Sequence, residues 1–284
     1  MEILNENSIM PQNVSLILGF FDGLHLGHQN VIETCPNKKR VLVTFSSSPA
    51  EYFGKNFEYI YSRNYNYKLA ELFGVNFVYE QNFENLAQLS AEEYLDKLLD
   101  KFSPESITTG FNHTFGANRQ GTSDFLYKKE GLYKYFCTNP AKIGEEIVSS
   151  TKIKEFLRNG EIEKANKFLT RNFSIKSIVI EGAKLGRKLG FPTANMKYPK
   201  NIVKIPYGVY KVRVLGMPAI MNWGIKPTIG ADELVEVHIP NYSGNLYGKD
   251  LRIEIVSKIR DEKKFNNLDL LKEQIEMDVM ECLK

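Results

Sequence analysis

Apolar residues in the first half of the chain come in short, nearly continuous runs separated by stretches of helical spacing, the pattern of buried parallel strands joined by helices. Residues 14–18 form the first such strand, and residues 28–32 start a helix after it. Residues 40–45 make a second strand, 67–73 a helix, and 75–79, following Gly74, a third strand. Ser90 and Glu93 have capping-box spacing ahead of Tyr94, Leu95, Leu98 and Leu99, and that helix stops before Pro104. Ile107, Thr108 and Thr109 then lead into a further glycine turn. This order predicts an α/β domain with a parallel sheet and a ligand crevice beyond the carboxyl ends of its strands.

Beyond Phe173 the period changes. Residues 175–180, 209–214, 235–239 and 251–255 alternate with period two, which fits a small antiparallel β-barrel. Just before this change, Ser150 or Thr151 caps a helix that buries Ile153, Phe156 and Leu157. Gly160 breaks it, and Ile162, Ala165, Phe168 and Leu169 propose a second. Leu268, Leu271, Ile275 and Val279 form the apolar stripe of a terminal helix that covers the barrel. The change of period puts a boundary at Asn172, giving domains 1–172 and 173–284 with no internal repeat.

Composition narrows this picture. The chain has 284 residues, of which 43% are hydrophobic, enough for two separate cores. Its net charge of +3 and the lack of a dense basic arm give no electrostatic case for a nucleic-acid partner. The amino terminus lacks a basic segment followed by an apolar core, and no uninterrupted run is long enough to span a membrane. The expectation is a cytoplasmic protein with free thiols, acting on small molecules without a membrane or obligate protein partner. Cys35, Cys137 and Cys282 are too far apart in sequence to form a recognisable metal-ligand spacing.

Three segments carry candidate chemistry. Gly19-Phe20-Phe21-Asp22-Gly23-Leu24-His25-Leu26-Gly27-His28 joins the first strand to its helix, so its glycines allow close backbone approach where helix amide groups attract anions. His25 and His28 can orient the phosphates of a nucleoside triphosphate and stabilise charge on a departing pyrophosphate. Gly19, Phe21, Asp22 and Gly27 are contact candidates beside them. Ser150, Thr151, Lys152 and Lys154 offer hydroxyl, amide and ammonium groups to the same triphosphate. The segment 181–195 combines flexible glycines with three cations, and it lacks the Gly-Lys-Ser/Thr ending of a Walker motif. In it Gly186, Arg187, Gly190 and Pro192 are nucleotide-contact candidates. Thr193 and Asn195, separated by one residue on an extended segment, present hard oxygen ligands for Mg2+ carrying ATP. Glu236 is a carboxylate in a β-like run, able to accept the proton of a substrate hydroxyl. His238 shares its face as a structural residue or a substrate neighbour, and Arg260 is a candidate for touching substrate or phosphate. Residues 207–210 and 222–228 read as turn and wall segments, with Trp223 a core anchor or a ring-stacking group.

Taken together these motifs resemble the bacterial bifunctional riboflavin kinase/FMN adenylyltransferase family, also called FAD synthetases, over nearly the whole chain. The resemblance rests on residues 19–28, 149–154, 186–195, 222–228, 236–239 and 246–249. It implies a nucleotidyltransferase-like parallel-sheet domain that joins FMN to the AMP part of ATP, giving FAD and pyrophosphate. It also implies a riboflavin-kinase antiparallel β-barrel with a terminal helix, which transfers the terminal phosphoryl group of ATP to riboflavin. In the family, the positions matched by His25, His28, Ser150 and Thr151 surround ATP. Those matched by Thr193 and Asn195 hold magnesium and nucleotide, and that matched by Glu236 is the base. Three departures bear on the first activity. Ser46, Ser47 and Ser48 stand where the family commonly has Glu and His, Asn112 and His113 where it has Asp and Phe, and Lys154 where it has Arg. Asn112 remains a flavin-loop candidate, and Lys154 keeps charge without the fixed fork of a guanidinium. The competing readings are a riboflavin kinase with an impaired adenylyltransferase domain, and a non-catalytic flavin-binding module.

Overall fold

The computed structural model describes residues 1–36, 39–182, 186, 189–226 and 232–283. The chain divides into two units, Met1–Ser150 and Thr151–Lys284.

The first unit is built on a six-stranded sheet of β1 (Glu2–Leu4), β2 (Ser15–Leu18), β3 (Arg40–Phe45), β4 (Phe77–Gln81), β5 (Ser106–Gly110) and β6 (Lys134–Thr138). The spatial order is β1-β4-β3-β2-β5-β6, and every pairing is parallel. Parallel neighbours need crossovers, and helices α1 (Leu26–Thr34), α2 (Pro49–Tyr52), α3 (Arg63–Leu72), α4 (Ala91–Phe102) and α5 (Ser123–Lys128) supply them. All four residues of β2 are buried, as expected of a central strand covered on both faces. Val43, Tyr79, Leu95, Leu98, Phe102 and Ile107 belong to the core on one side of it. A short hairpin, β7 (Lys142–Ile143) with β8 (Glu146–Ile147), follows.

The chain runs outward from β2 in both directions, to β3 on one side and, later, from β5 to β6 on the other. The loops leaving β2 and β5 therefore diverge, and the crevice of an open parallel sheet lies between them. The predicted capping box is present: Ser90 Oγ accepts from the Glu93 amide at 3.2 Å, and Glu93 Oε2 from the Ser90 amide at 2.7 Å. Some bounds differ from the sequence pattern. Helix α1 opens at Leu26 because His25 caps it, α3 opens at Arg63, and β4 begins at Phe77. Strands β1 and β6 lack a period of their own; β1 buries one residue of three.

Helix α6 (Ser150–Asn159) begins at the last residue of the first unit, and α7 (Ile162–Leu169) follows it in the second. Ser150 and Thr151 lie within the first turn of α6 rather than at the capping position. Gly160, at φ +77°, ends the first helix as its lack of a Cβ allows. Six strands follow: β9 (Phe173–Ile178), β10 (Thr193–Lys197), β11 (Gly208–Val214), β12 (Met217–Lys226), β13 (Asp232–His238) and β14 (Asp250–Arg260). Their order is β10-β13-β12-β11-β14-β9, with every pairing antiparallel. The sheet curls until the Ile180 amide, just past β9, donates to the Asn195 carbonyl of β10 at 2.8 Å. Residues 222–226, which read as a wall or turn, are strand β12, and fully buried Trp223 is a core anchor whose Nε1 donates to the Ile205 carbonyl at 3.1 Å. The terminal helix α8 (Leu268–Leu283) packs on β11 and β12. Its buried residues are Asp278 and Cys282; of the predicted stripe Leu271, Ile275 and Val279 are half-buried, and Leu268 is exposed.

Candidate active sites

In the first unit the loop after β2 is pinned from several directions. Asp22 Oδ1 accepts from the Ile60 amide at 2.8 Å, Asn66 Oδ1 from the Gly23 amide at 3.1 Å, and Ser150 Oγ donates to the Asp22 carbonyl at 2.8 Å. Gly23 sits at φ +87°, and a Cβ there would stand 2.7 Å from Ile60 Cδ1, so the turn requires glycine. Asp22, proposed from sequence as a ligand contact, is 2% exposed and anchors the loop. Asn66 was missed because the bond it makes spans 43 residues.

This pinned loop delivers two imidazoles to the mouth of α1. His25 is the N-cap, its Nδ1 accepting from the His28 amide at 3.4 Å. The two rings stack with centroids 3.7 Å apart and planes 18° from parallel, and Phe21 meets His28 edge-on at 4.9 Å. Burial, and then the like charge of His25, push the His28 pKa well below the ordinary histidine value. Its Nδ1 is buried without a hydrogen-bond partner. A Cβ on Gly27 would lie 3.2 Å from the His25 ring, so the glycine leaves room for the stack. A narrow cavity of about 30 Å³ opens beneath the loop, lined by Phe20, Asp22, Thr44, Tyr59, Arg63 and Asn66 among others.

Two of the departures noted in the sequence, Ser48 and His113, have structural roles. Ser48 caps α2 in a capping box with Glu51, which also accepts from the Tyr59 hydroxyl at 2.5 Å. Burial and Glu51 push the Tyr59 phenol up to about 12. Asn112 is exposed in the loop after β5. His113 lies nearly parallel to Phe115 at 5.8 Å, and Phe115 packs against Tyr94 and Phe125. Burial pushes the His113 pKa down to about 4, and its Nε2 has no partner. Between about pH 6.5 and pH 4 the unfolded chain therefore binds a proton that the folded chain refuses, and stability falls as pH falls. His113→Phe is expected to remove about 2 kcal/mol of the stability lost between about pH 6.5 and pH 5. Urea unfolding of both proteins at the two pH values checks this, and identical pH slopes would contradict it.

Thr151, Lys152 and Lys154 lie on α6 in the second unit: Lys152 pairs with Glu155 at 3.4 Å, and Lys154 is buried. The other predicted residues of this unit meet on three neighbouring strands. Antiparallel register sets Asn195 of β10 beside Glu236 of β13 and Glu236 beside Asn222 of β12, while Thr193 pairs with His238. Thr193 and Asn195, two apart on β10, share one face with Glu236. Glycines make room for both. A Cβ on Gly182 would stand 2.5 Å from Asn195 Cγ, and one on Gly186 would stand 2.4 Å from the Phe191 carbonyl oxygen and 3.4 Å from Thr193 Oγ1. Gly190, at φ +93°, completes the turn into Pro192. Arg187 lies outside the described residues. A cavity of about 320 Å³ is lined by Pro192, Thr193, Ala194, Val237, Tyr242 and Tyr247 among others; Ala194 and Val237 lie on the opposite face of β10 and β13 from Asn195 and Glu236. Tyr247 falls in the 246–249 stretch that carries the resemblance, whereas Tyr242 sits in a loop without period and was not singled out.

Arg260 ends β14, with β11 and β12 between it and β13; register sets it beside Val209, which pairs with Asn222 of the Asn195–Glu236–Asn222 row. Its guanidinium grips Asp278 of α8 with Nε at 3.0 Å and Nη2 at 2.8 Å, a bidentate pair that Gln274 completes. Among the described residues no helix is long and apolar enough to cross a membrane.

A parallel sheet with paired histidines at a helix mouth, followed by a curled antiparallel sheet with an Asn-Glu-Asn row, defines a two-domain nucleotide-dependent transferase fold. Residues 8–152 match the FAD synthetase family, and residues 169–284 match the riboflavin kinase family. The bifunctional riboflavin kinase/FMN adenylyltransferase of Bacillus subtilis is 33% identical over 95% of this chain and 91% of its own length. That of Haemophilus influenzae is 34% identical over 97% and 94%, and that of Escherichia coli 31% over 97% and 94%. The chain belongs to the bifunctional riboflavin kinase/FMN adenylyltransferase family. A crystal structure described as a macrolide-efflux protein from Streptococcus pneumoniae has a TM-score of 0.92 over 99% of both chains at 24% identity, which establishes the shared fold alone.

Proposed function

We propose that the chain converts riboflavin to FMN at the Glu236 site and FMN to FAD at the His25–His28 site, using ATP in both reactions. The observation that carries this reading is that the His25–His28 pair and the Asn195–Glu236–Asn222 row lie in different structural units, each within the stretch that matches one of two family models.

In the first step the ribityl hydroxyl oxygen attacks the terminal phosphorus of ATP, its proton passes to Glu236, and ADP leaves. Thr193 Oγ1 and Asn195 Oδ1 are the hard oxygen donors that suit Mg2+ held with the nucleotide phosphates. The space that glycine leaves beside each supports this fit. Bound there, Mg2+ supplies compensation for phosphate charge. Gly186, Arg187, Gly190 and Pro192 are assigned to the nucleotide. In the second step a phosphate oxygen of FMN attacks the α-phosphorus of ATP and the bond to the β-phosphate oxygen breaks, releasing pyrophosphate. His25 and His28 donate hydrogen bonds to the phosphates where that charge grows. Gly19, Phe21 and Gly27 shape the pocket, with Ser150, Thr151, Lys152 and Lys154 assigned to the triphosphate and Asn112 to the flavin. The two chemical roles divide between domains 1–172 and 173–284. The setting proposed is the cytoplasm, with flavins and nucleotides as partners.

A magnesium-dependent time course from riboflavin and ATP, resolving FMN, FAD, ADP and pyrophosphate, tests the proposal. One ADP per FMN formed and one pyrophosphate per FAD are expected. FMN accumulation without FAD would leave a riboflavin kinase only, and tight flavin retention without either product would leave a binding module. Gly182→Ala, by driving a methyl group into Asn195, is expected to raise the Mg2+ concentration for half-maximal riboflavin phosphorylation about tenfold. An unchanged Mg2+ dependence would remove Asn195 from the metal site.

A further inference from the structure

One side chain links the strand that carries Glu236 to the loop that precedes Thr193 and Asn195. His238 is 8% exposed, and its Nδ1 lies 2.9 Å from the Pro192 carbonyl oxygen. A carbonyl only accepts, so Nδ1 carries the proton and donates. Phe191 meets the imidazole edge-on at 5.5 Å, fixing the ring from one side. The loop is closed on itself by the Phe191 and Leu189 amides, which donate to the Gly186 carbonyl at 2.8 and 3.1 Å. Pro192 has no N–H to give to a strand ladder, so the end of this loop cannot be fixed by a backbone donor at that residue. The imidazole supplies a fixed point there, one residue before Thr193.

We propose that His238 is a positioning residue for riboflavin phosphorylation, its Nδ1–H holding the Pro192 carbonyl so that Thr193 and Asn195 keep their places against Glu236. The proposal rests on the kinase reading of this site. It differs from a packing role in what it demands: packing needs only a ring-shaped filler, whereas positioning needs a donor at Nδ1. Asn puts an amide N–H near the position of Nδ1, Gln puts one nearer Nε2, and Phe fills the volume with no donor.

The test compares His238→Asn, His238→Gln and His238→Phe in the full chain. The first readout is calorimetric binding of ADP with and without Mg2+, made in a His28→Ala background to suppress nucleotide binding by the amino-terminal unit. Loss of one hydrogen bond predicts a weakening of Mg2+-dependent ADP binding by about tenfold for Phe and Gln, with Asn near the parent protein. The second readout is riboflavin phosphorylation without the background substitution. Phe and Gln should raise the Mg2+ concentration for half-maximal rate and the KM for ATP more than they lower kcat, Asn should restore both, and FMN adenylylation should stay unchanged in all three. Equal behaviour of Asn and Phe, whether both match the parent or both fail, would overturn the proposal. If the parent protein binds Mg2+ and ADP but phosphorylates no riboflavin, the kinase reading falls while the binding comparison still decides whether His238 holds the loop. If Phe fails to fold, Gln against Asn decides the same question.

Discussion

Riboflavin phosphorylation by a Glu236→Gln variant is expected to fall about 10²–10⁴-fold, the range a positioned general base contributes. The substitution keeps the shape of the side chain and removes its capacity to take the hydroxyl proton. Its neighbours on β13, Val235 and Val237, are buried at 0% and 1% exposure, so the strand holds its place. Register then keeps residue 236 between Asn195 and Asn222. Adenylylation of supplied FMN by the same variant should be unchanged, because His25 and His28 belong to the other unit. Assaying the two reactions separately on one preparation checks both halves of this statement. A loss of less than about threefold in phosphorylation would remove Glu236 as the base, since so small an effect lies far below that range.

His28→Ala should show the reverse pattern, with FAD formation lowered about 10²–10³-fold and riboflavin phosphorylation retained. The magnitude follows from removing one preorganised donor at the place where pyrophosphate charge develops. The stacked pair makes a further demand. With rings 3.7 Å apart and His28 already pushed well below its ordinary pKa, the free protein carries His28 neutral at pH 7. A triphosphate beside these rings favours the protonated form and raises that pKa. ATP binding at this site is therefore expected to take up protons and to strengthen as pH falls toward the pKa of the bound state. Calorimetry in buffers of different ionisation enthalpy reads this directly. Proton uptake that persists undiminished in His28→Ala would assign it to another group.

Much of this arrangement was legible in the sequence where the signals are local. The strand, glycine loop and histidine pair are contiguous, and the capping box at Ser90 needs only Glu93 three residues on. The change from helical spacing to period two near Phe173 announced the second sheet. The signals that failed are long-range or masked. Gly23 is held by Asn66 and Asp22 holds Ile60, contacts across 43 and 38 residues that leave no trace in local pattern. Strand β12 runs through Pro218, Gly224 and a continuous apolar stretch at 219–221, which hides its alternation. The hold of Arg260 on Asp278 could not be read from the sequence, because its partner lies on a helix read only for its apolar stripe. His238 could be placed on the face of Glu236 from period alone, but its hold on Pro192 required the fold.

Mixing two crippled proteins tests the separation of the sites most directly. Glu236→Gln and His28→Ala are each incubated with riboflavin, ATP and Mg2+, and then combined. The account predicts that the first alone yields almost no FMN, that the second accumulates FMN with little FAD, and that the mixture produces FAD as released FMN passes from one protein to the other. A mixture that forms no more FAD than its components, while FMN accumulates in solution, would contradict two independent nucleotide sites on one chain.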